Sequence, residues 1–368
     1  RRSVPSKSYP IAFPTSSGQA FLPGGRVIER PHTIAHCYPA HAFAAAAHDV
    51  VARPQAQQSC SHASAVQPCI GRPAHSRAGS TLAVMSIPKS VTKAHATGND
   101  FIAYLDSDGR FEPTADEVRQ LCDRHFGIGG DGVIFINPSQ QADFEMEMYN
   151  ADGTRAEMCG NGIRCVGKYV YDHGMTDKTS ITVESFGKVK YLDLTVENGK
   201  VVKVKVNMGK PELTAKDVPV VSVHEQVIDE EIIVKEKSYR MTCVSMGNPH
   251  AVVFMDDVEH LAIEEIGPYF ENHERFPNRT NTEFVQVIDD SHVKMRVWER
   301  GTGETLACGT GCCATAVACV LNRLTGAHVT VQVLGGEIEI YWDQKENLVY
   351  MTGPAVTVFE GETEEAYV

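Results

Sequence analysis

The sequence lacks the usual marks of a membrane, metal-binding or disulfide-stabilised protein. No run of about eighteen apolar residues occurs, which argues against a membrane-spanning helix. None of the 11 cysteines forms a Cys-x-x-Cys pair, and the adjacent Cys312-Cys313 has no second pair at zinc-finger spacing. The cysteines lie in apolar or glycine-rich segments of a large chain. We therefore expect free thiols in a reducing compartment and no structural metal.

Acidic residues are almost absent from residues 1–90, where only Glu29 and Asp49 occur. This segment is rich in Ser, Ala, Pro, Arg and His and shows no sustained periodicity, which is typical of an organelle transit peptide. We predict a disordered transit peptide over residues 1–86 that directs the protein to the plastid stroma, because Arg is sparse beside Ser, Ala and Pro. The alternatives are a mitochondrial address and a tail with no address. The formal net charge of the whole chain is −13, and because residues 1–90 are net positive, the remaining residues carry about −20, which argues against nucleic acid as a partner.

The chain contains an internal repeat with a constant offset of 149 residues. Cys159 in Met-Cys-Gly-Asn-Gly corresponds to Cys308 in Ala-Cys-Gly-Thr-Gly. The same offset relates Gly98-Asn99 to Gly247-Asn248, Tyr149-Asn150 to Trp298-Glu299, and Gly132 to Asn281. If the halves fold alike and face each other, the two thiols approach one cleft from opposite sides.

Each cysteine lies where the apolar period changes. Strict alternation predicts strands over 144–149 and 293–298, and a period of about 3.6 after each cysteine predicts a helix. We expect the first helix to end at Gly174 and the second at Gly326. Val-rich strands follow over 181–206 and 328–351. Each half is therefore predicted to wrap strands around one main helix that begins at the cysteine.

A thiol at a helix N-terminus can act as a base. Unpaired amides and the positive end of the helix dipole stabilise a thiolate, and a thiolate is a competent base near neutral pH. The glycines after each cysteine let an anionic group approach the amides closely. Two such helix starts suit removal of a proton from a carbon beside a carboxylate, with replacement from the other face. A buried core cysteine is the alternative for a single site, but the duplicated setting favours chemistry.

Polar residues near the repeat fit such a cleft. His250 ends Gly-Asn-Pro-His after an apolar strand, and Glu299-Arg300 ends an alternating strand at the repeat position of Asn150. We expect both segments to face the cleft, although a surface ion pair is the alternative for Glu299 and Arg300. The glycines of 127–132 are weak support for phosphate binding, because no P-loop Lys accompanies them.

From about Val91 to the C-terminus, these residues resemble the diaminopimelate epimerase family. The anchors, in order, are Gly98-Asn-Asp-Phe101, Asn150-Ala-Asp-Gly153, Cys159-Gly-Asn-Gly-Ile-Arg-Cys165, Gly247-Asn-Pro-His250, Glu299-Arg300 and Ala307-Cys-Gly-Thr-Gly311. The resemblance implies cofactor-independent conversion of LL-2,6-diaminopimelate to the meso isomer in lysine biosynthesis, without metal or pyridoxal phosphate. It implies a small-molecule substrate and is compatible with a homodimer.

The resemblance also implies roles for individual residues. Cys159 and Cys308 are the acid/base pair, with Cys308 the base toward the LL isomer, and His250 and Glu299 support the reacting centre. The implied substrate-binding residues are Asn99, Gly132, Asn150, Gly160, Asn161, Asn248, Asn281, Glu299, Arg300, Gly309 and Thr310. Many family members carry Gln where this chain has Gly132, so one expected side-chain contact is absent.

The implied fold class is α+β, with two similar domains that are each a strand barrel around a central helix and an active site in the cleft between them. The first domain is predicted over 87–210 plus 354–368, and the second over 211–353. A proline-racemase-like enzyme on the same scaffold is the closest alternative. A redox protein with a reversible disulfide between Cys159 and Cys308, and a non-catalytic binding module, are the alternatives from other classes.

Overall fold

Strands surround the two helices that begin at the repeated cysteines. The computed structural model describes residues 89–109, 111–156 and 158–363. The helices of these residues are α1 Ala115–Cys122, α2 Gly160–Asp172, α3 Ile263–Glu271 and α4 Gly309–Leu321. The strands are β1 Ser90–Ala96, β2 Asn99–Leu105, β3 Gly132–Asn137, β4 Phe144–Asn150, β5 Ser180–Ser185, β6 Lys188–Glu197, β7 Lys200–Gly209, β8 Glu230–Val234, β9 Lys237–Ser245, β10 Pro249–Phe254, β11 Asn281–Val287, β12 His292–Glu299, β13 Gly303–Thr305, β14 His328–Val333, β15 Gly336–Asp343, β16 Leu348–Pro354 and β17 Val356–Glu362.

Two expectations, the transit peptide and the plastid location, concern residues that the structure does not describe. The predicted transit peptide over residues 1–86 lies outside the described residues, so it stays a prediction together with the plastid location. Among the helices of the described residues, none is long and apolar enough to cross a membrane.

The 149-residue repeat is present in the strand register as well as in the sequence. β2 pairs in parallel with β3, and Phe101 lies opposite Gly132. β10 pairs in parallel with β11, and His250 lies opposite Asn281. Each residue of the second pair follows its counterpart by 149 positions. The two halves therefore use the same pairing, and positions related by the offset can be compared directly.

The two long helices are equivalent elements of the halves. Each has 13 residues and begins directly after its cysteine. α2 packs against β1, β2, β4, β5, β6, β7 and β17, whereas α4 packs against β9, β10, β11, β14, β15 and β16. Most residues of α4 are apolar and buried, as expected for a helix surrounded by strands. The predicted α+β fold with strands around central helices is confirmed.

The last strand completes the first half. β17 pairs antiparallel with β1, in the way that β8 pairs with β9 in the second half. β16 pairs with both β15 and β7, and so joins the two halves through one sheet. The segment after Pro354 thus packs with the N-terminal strands, while the exact domain boundaries near 210 and 353 stay a prediction.

The second long helix ends earlier than its sequence predicts. α2 ends at Asp172, and Gly174 follows in a left-handed conformation with φ 67°, as expected. α4 ends at Leu321, five residues before Gly326. Arg323 takes the left-handed conformation there, with φ 59°, and the Leu324 amide bonds back to the Cys319 carbonyl over 2.9 Å. A non-glycine residue therefore ends this helix, whereas the sequence predicted a terminal glycine.

Candidate active site

Cys159 is the N-cap residue of α2, as predicted. Its backbone is extended, with φ −133° and ψ 112°, and its Sγ accepts a hydrogen bond from the Gly162 amide at 3.3 Å. The thiol also lies 3.8 Å from Asn99 Oδ1. Cys159 is half-buried, so the first thiol is both held by a helix amide and open to the cleft described below.

Cys308 occupies the same position at the start of α4. Its backbone is also extended, with φ −116° and ψ 109°, but no helix amide caps its side chain. The Sγ lies 3.5 Å from Thr310 Oγ1. Cys308 is buried, and both thiols are free. The two repeat-related cysteines therefore share a backbone position and differ in their surroundings.

The starts of the two helices adjoin. Asn161 Nδ2 donates to the Ala307 carbonyl at 3.2 Å, directly before Cys308, and to Asn99 Oδ1 at 3.1 Å. A Cβ added at Gly160 would lie 2.9 Å from Met351 Cε, and one added at Gly309 would lie 3.1 Å from Met351 Sδ. Both helix starts thus pack against the side chain of one methionine. The structure brings the predicted cysteine segments together.

Thiolates are not favoured in this site. Burial raises the pKa of Cys159, and the amides of Gly162 and Asn161 lower it only in part. Burial raises the pKa of Cys308 well above its usual range, and the carboxylates of Glu299 and Glu283 act in the same direction. The helix amides act in the expected direction, but desolvation outweighs them in the site without substrate.

A cleft of about 1140 Å³ opens beside Cys159. Of the residues predicted for substrate binding or catalysis, five line it: Asn99, Asn150, Cys159, Glu299 and Arg300. Its wall also includes Arg124, Asp131, Asp152, Arg279 and Glu304, none of which the sequence predicted. Cys308, His250 and Asn281 are buried. The cleft wall therefore combines acidic, basic and apolar side chains.

His250 is fully buried in a chain of hydrogen bonds. Its Nδ1 lies 2.7 Å from Glu283 Oε1, and its Nε2 lies 3.0 Å from Asn248 Oδ1. Glu283 is also fully buried. The sequence predicted His250 and Asn248 but not Glu283. The one available signal was that Glu283 interrupts a repeat position that Ile134 holds in the first half.

Asn281 holds the segment that carries Arg300. Its Oδ1 accepts from the Arg300 amide at 2.8 Å, and its Nδ2 donates to the Pro249 carbonyl at 3.0 Å. Arg300 is exposed, and its Nη1 donates to the Asn278 carbonyl at 3.0 Å. Both polar ends of Asn281 are therefore occupied by the protein in this structure, whereas Arg300 lines the cleft.

Glu299 and Asn150 lie at the same repeat position with unlike surroundings. Glu299 accepts a hydrogen bond from Thr305 Oγ1, and burial raises the pKa of its carboxyl group although Thr305 and Cys308 lower it. Asn150 is exposed, and its Nδ2 donates to Thr154 Oγ1 at 3.0 Å. The mismatch places an acid on one side of the cleft and a neutral amide on the other.

Gly132 has no room for the side chain that many family members carry. It is buried opposite Asn150 in the β3–β4 pair, and a Cβ there would lie 2.5 Å from the Tyr149 carbonyl oxygen. The neighbouring Asp131 instead accepts a hydrogen bond from Asn99 Nδ2 at 2.8 Å. Asp131 is therefore the polar side chain that this chain presents beside Gly132.

An ion-pair network supports Asp131 and was not predicted. Arg124 Nη2 lies 2.7 Å from both Asp131 Oδ1 and Asp100 Oδ1, and Lys93 Nζ lies 2.6 Å from Asp100 Oδ2. Burial acts to raise the pKa of Asp100, but Arg124 and Lys93 hold it well below its usual range. The network links Lys93 on β1 and Arg124, which follows α1, through Asp100 and Asp131 to Asn99, which contacts Cys159.

Arg164 is a second feature that the sequence did not reveal. It is fully buried in α2, and it donates to the Pro354 carbonyl at 3.2 Å, the Gly160 carbonyl at 3.3 Å and Thr97 Oγ1 at 3.3 Å. Within the described residues, Arg164 forms no ion pair with a carboxylate. The guanidinium therefore ties the start of α2, the loop before Asn99 and the end of β16 together through neutral acceptors.

Gly335→Ala should disturb the wall of the cleft. A Cβ at Gly335 would lie 1.8 Å from the Thr97 carbonyl oxygen and 3.2 Å from the Leu306 carbonyl oxygen, so the loops before Asn99 and Cys308 must move. We expect the free energy of unfolding to fall by about 2 kcal/mol, as for other overpacked sites, with lower activity. Thermal unfolding and a turnover assay measure this.

Gly326→Ala is the matched control, because its Cβ would meet only one atom, the Asp290 carbonyl oxygen at 3.9 Å. Its free energy of unfolding should change by less than about 0.5 kcal/mol. Equal changes in the free energy of unfolding for the two substitutions would show that the close contact at Gly335 does not determine the stability.

Solved structures with a similar fold define the class of protein. A phenazine biosynthesis protein of the PhzF family from Bacillus anthracis has a TM-score of 0.53 and 17% identity, over 75% of this chain and 99% of its own. A probable proline racemase from Agrobacterium radiobacter K84 has a TM-score of 0.57 and 14% identity, over 76% and 94% of the two chains. At such low identity these likenesses show the fold alone, which is the two-half α+β fold of these proteins.

Sequence comparisons give the family. The model described as diaminopimelate epimerase matches residues 91–214 and 242–358. The diaminopimelate epimerase of Methanococcus maripaludis strain C5 is 57% identical over 272 residues, which cover 74% of this chain and 98% of the relative. That of Agathobacter rectalis is 54% identical over 278 residues, with the same coverage of both chains. The chain therefore belongs to the diaminopimelate epimerase family and is an isomerase.

Proposed function

We propose that this protein converts LL-2,6-diaminopimelate to meso-diaminopimelate in lysine biosynthesis, without a cofactor and with Cys159 and Cys308 as the acid/base pair. The observation that carries the proposal is the meeting of two repeat-related helix starts, each with a cysteine at its N-cap, joined by the Asn161 hydrogen bond to Ala307. The names of relatives more than 50% identical to this chain support the substrate.

The helix starts suit the α-carboxylate of such a substrate. The amides of residues 160–162 and 309–311 belong to first helical turns, where N–H groups lack helical partners and attract anions. Each well-placed donor is worth about 3 kcal/mol to the charge that develops beside the carboxylate when the α-proton leaves. The buried Asn161 Oδ1 has no partner within the described residues and can accept from the α-ammonium group.

In the forward direction, the Cys308 thiolate removes the α-proton while the Cys159 thiol donates a proton to the opposite face. The cycle leaves Cys308 as a thiol and Cys159 as a thiolate, so the reverse reaction uses the same groups with their roles exchanged. The raised pKa values of both thiols make the thiolate rarer but more basic, which suits a weakly acidic carbon. One base would return the proton to its original face.

The far end of the cleft suits the distal amino acid group of diaminopimelate. The Arg300 guanidinium can bind a carboxylate with two hydrogen bonds, while Asn150 offers an acceptor for an ammonium group. Asn248 is half-buried and held by His250, so its free amide group is oriented. A small cyclic amino acid would leave this end of the cleft unfilled, which favours diaminopimelate over proline.

Incubation in deuterated water tests the substrate and the reaction together. With LL-diaminopimelate, proline and lysine supplied in separate samples, we expect deuterium at the α-carbon of diaminopimelate alone, because proton removal is followed by donation of a solvent-derived proton. Mass spectrometry of the recovered amino acids measures this. Deuterium in proline and none in diaminopimelate would contradict the proposal and favour a proline-racemase-like enzyme.

A further inference from the structure

The two halves fill the same buried place with different chemistry. In the second half the place holds His250 and Glu283, which pair at 2.7 Å with no exposure of either side chain. The repeat counterparts in the first half are Phe101 and Ile134, which are also fully buried. The strand register is the same in both halves. The fold therefore accepts an apolar pair at this position, and the polar pair needs another explanation.

Glu283 lies against the glycine start of the second helix. A Cβ at Gly311 would lie 2.6 Å from Glu283 Oε1 and 3.3 Å from Cys308 Sγ, so the carboxylate and the thiol lie on the same side of this residue. At the counterpart Gly162, the nearest such atom is Ile134 Cδ1 at 3.1 Å. Glu283 Oε2 is buried and has no hydrogen-bond partner within the described residues.

Burial of a carboxylate with one unpaired oxygen costs free energy that an apolar side chain would not. We propose that Glu283 is a positioning residue for Cys308: it anchors the His250 imidazole through Nδ1 and places a negative charge beside the second thiol that the first thiol lacks. The two thiols then meet the substrate from unlike surroundings. This inference rests on the proposed role of Cys308.

Other charged groups near Cys308 come from each neighbouring element. Glu299 on β12 adds a second carboxylate and raises the pKa of the thiol in the same direction as Glu283 on β11. His250 on β10 pairs with Glu283, while Arg164 on α2 acts on Cys159 and Cys312 in the opposite direction. Glu299 also raises the pKa of Cys159, so Glu283 is the carboxylate that acts on Cys308 and not on Cys159.

Thiol alkylation tests this electrostatic role without turnover. In Glu283→Gln, which keeps size and can still bond to His250, the pH midpoint for iodoacetamide alkylation of Cys308 should fall by about one unit. Below the midpoint this is a roughly tenfold faster reaction, measured by peptide mass spectrometry. Cys159 in the same sample should change less than about twofold, because Glu283 does not contact its helix start.

Glu271→Gln is the matched control, since Glu271 is a buried acid of the same half that bonds to Trp298 and the Gly301 amide instead of α4. It should leave both midpoints unchanged. An unchanged or higher midpoint for Cys308 in Glu283→Gln, or equal shifts of both thiols, would overturn the inference. Because the readout is thiol reactivity, failure here is distinguishable from failure of the epimerase proposal, which the deuterium experiment decides.

A double substitution separates this role from packing. His250→Phe with Glu283→Ile recreates the pair of the first half, so we expect its Tm to exceed that of either single variant, each of which leaves one buried polar partner unpaired. Its kcat should nevertheless fall by about tenfold or more, because Asn248 and Cys308 lose their orienting neighbours. Full activity in the double variant, or a Tm below both single variants, would show that the pair serves packing alone.

Discussion

Cys159→Ala and Cys308→Ala should each lower kcat for the conversion of LL-diaminopimelate by about 1000-fold or more, within the range expected for loss of a general acid or base. Both thiols are the N-cap residues of helices whose starts adjoin through Asn161 and Ala307, so neither can replace the other on its own face of the substrate. Chromatographic separation of the two isomers measures the reaction in each direction. Loss in both directions is expected, because each thiol is a base in one direction and an acid in the other.

Two buried cysteines of the same helices provide matched controls. Cys165 is buried in α2, and its repeat counterpart is Ala314, so Cys165→Ala should keep its activity. Cys319 is buried in α4, and its repeat counterpart is Val170, so Cys319→Val should also keep its activity. Turnover like that of the unmodified protein in either Cys159→Ala or Cys308→Ala would refute the two-base mechanism.

The helix starts could be predicted because the information is local. The alternating residues before Cys159 and Cys308, the glycines after them and the change to a helical period are all read within one short segment of each half. The constant offset then showed that the two segments are equivalent, and the structure confirms this in the register of Phe101 with Gly132 and His250 with Asn281. A local signal present twice is stronger than either copy alone.

The supporting residues could not be predicted in the same way. Arg124 and Asp131 are polar residues of ordinary loops, and only tertiary folding brings them beside Asn99 and Asp100 on β2. Glu283 lies in the buried part of β11, and its partner His250 is 33 positions away in the sequence. Periodicity reports which face of an element is buried, but it does not report which buried polar groups meet.

The raised pKa values of the thiols could not be predicted for a similar reason. The sequence shows that a helix follows each cysteine, and the helix amides alone would favour a thiolate. It does not show how deeply the thiol is buried or that Glu299 and Glu283 lie near Cys308, and these effects decide the direction of the pKa shift. The effect of the helix amides could therefore be predicted, whereas burial and the two carboxylates that oppose it could not.

Arg164→Met should lower kcat/KM by about 100-fold, the size of effect expected when a catalytic group shifts by about 1 Å. Arg164 donates to the Gly160 carbonyl, Thr97 Oγ1 and the Pro354 carbonyl, and these segments lead to Cys159, Asn99 and the junction of the two halves. Methionine removes all these hydrogen bonds while it fills much of the space. Two opposing effects change the stability: the buried acceptors lose their hydrogen-bond donor, which destabilises the fold, and the cost of an unpaired buried charge is removed, which stabilises it. On balance the free energy of unfolding should fall by about 2 kcal/mol.

Arg164→Lys distinguishes charge from geometry. Lysine keeps the positive charge beside Cys159 but cannot reach three acceptors with one compact ammonium group, so an intermediate loss of kcat/KM is expected. Arg240→Met is the control, because Arg240 is exposed and pairs with Asp229 at 2.6 Å. Kinetics are measured well below the unfolding temperature of each variant. Unchanged kcat/KM in Arg164→Met would show that the adjoining helix starts hold their geometry without the guanidinium, whereas a loss in Arg164→Lys as large as that in Arg164→Met would assign the effect to the hydrogen bonds instead of the charge.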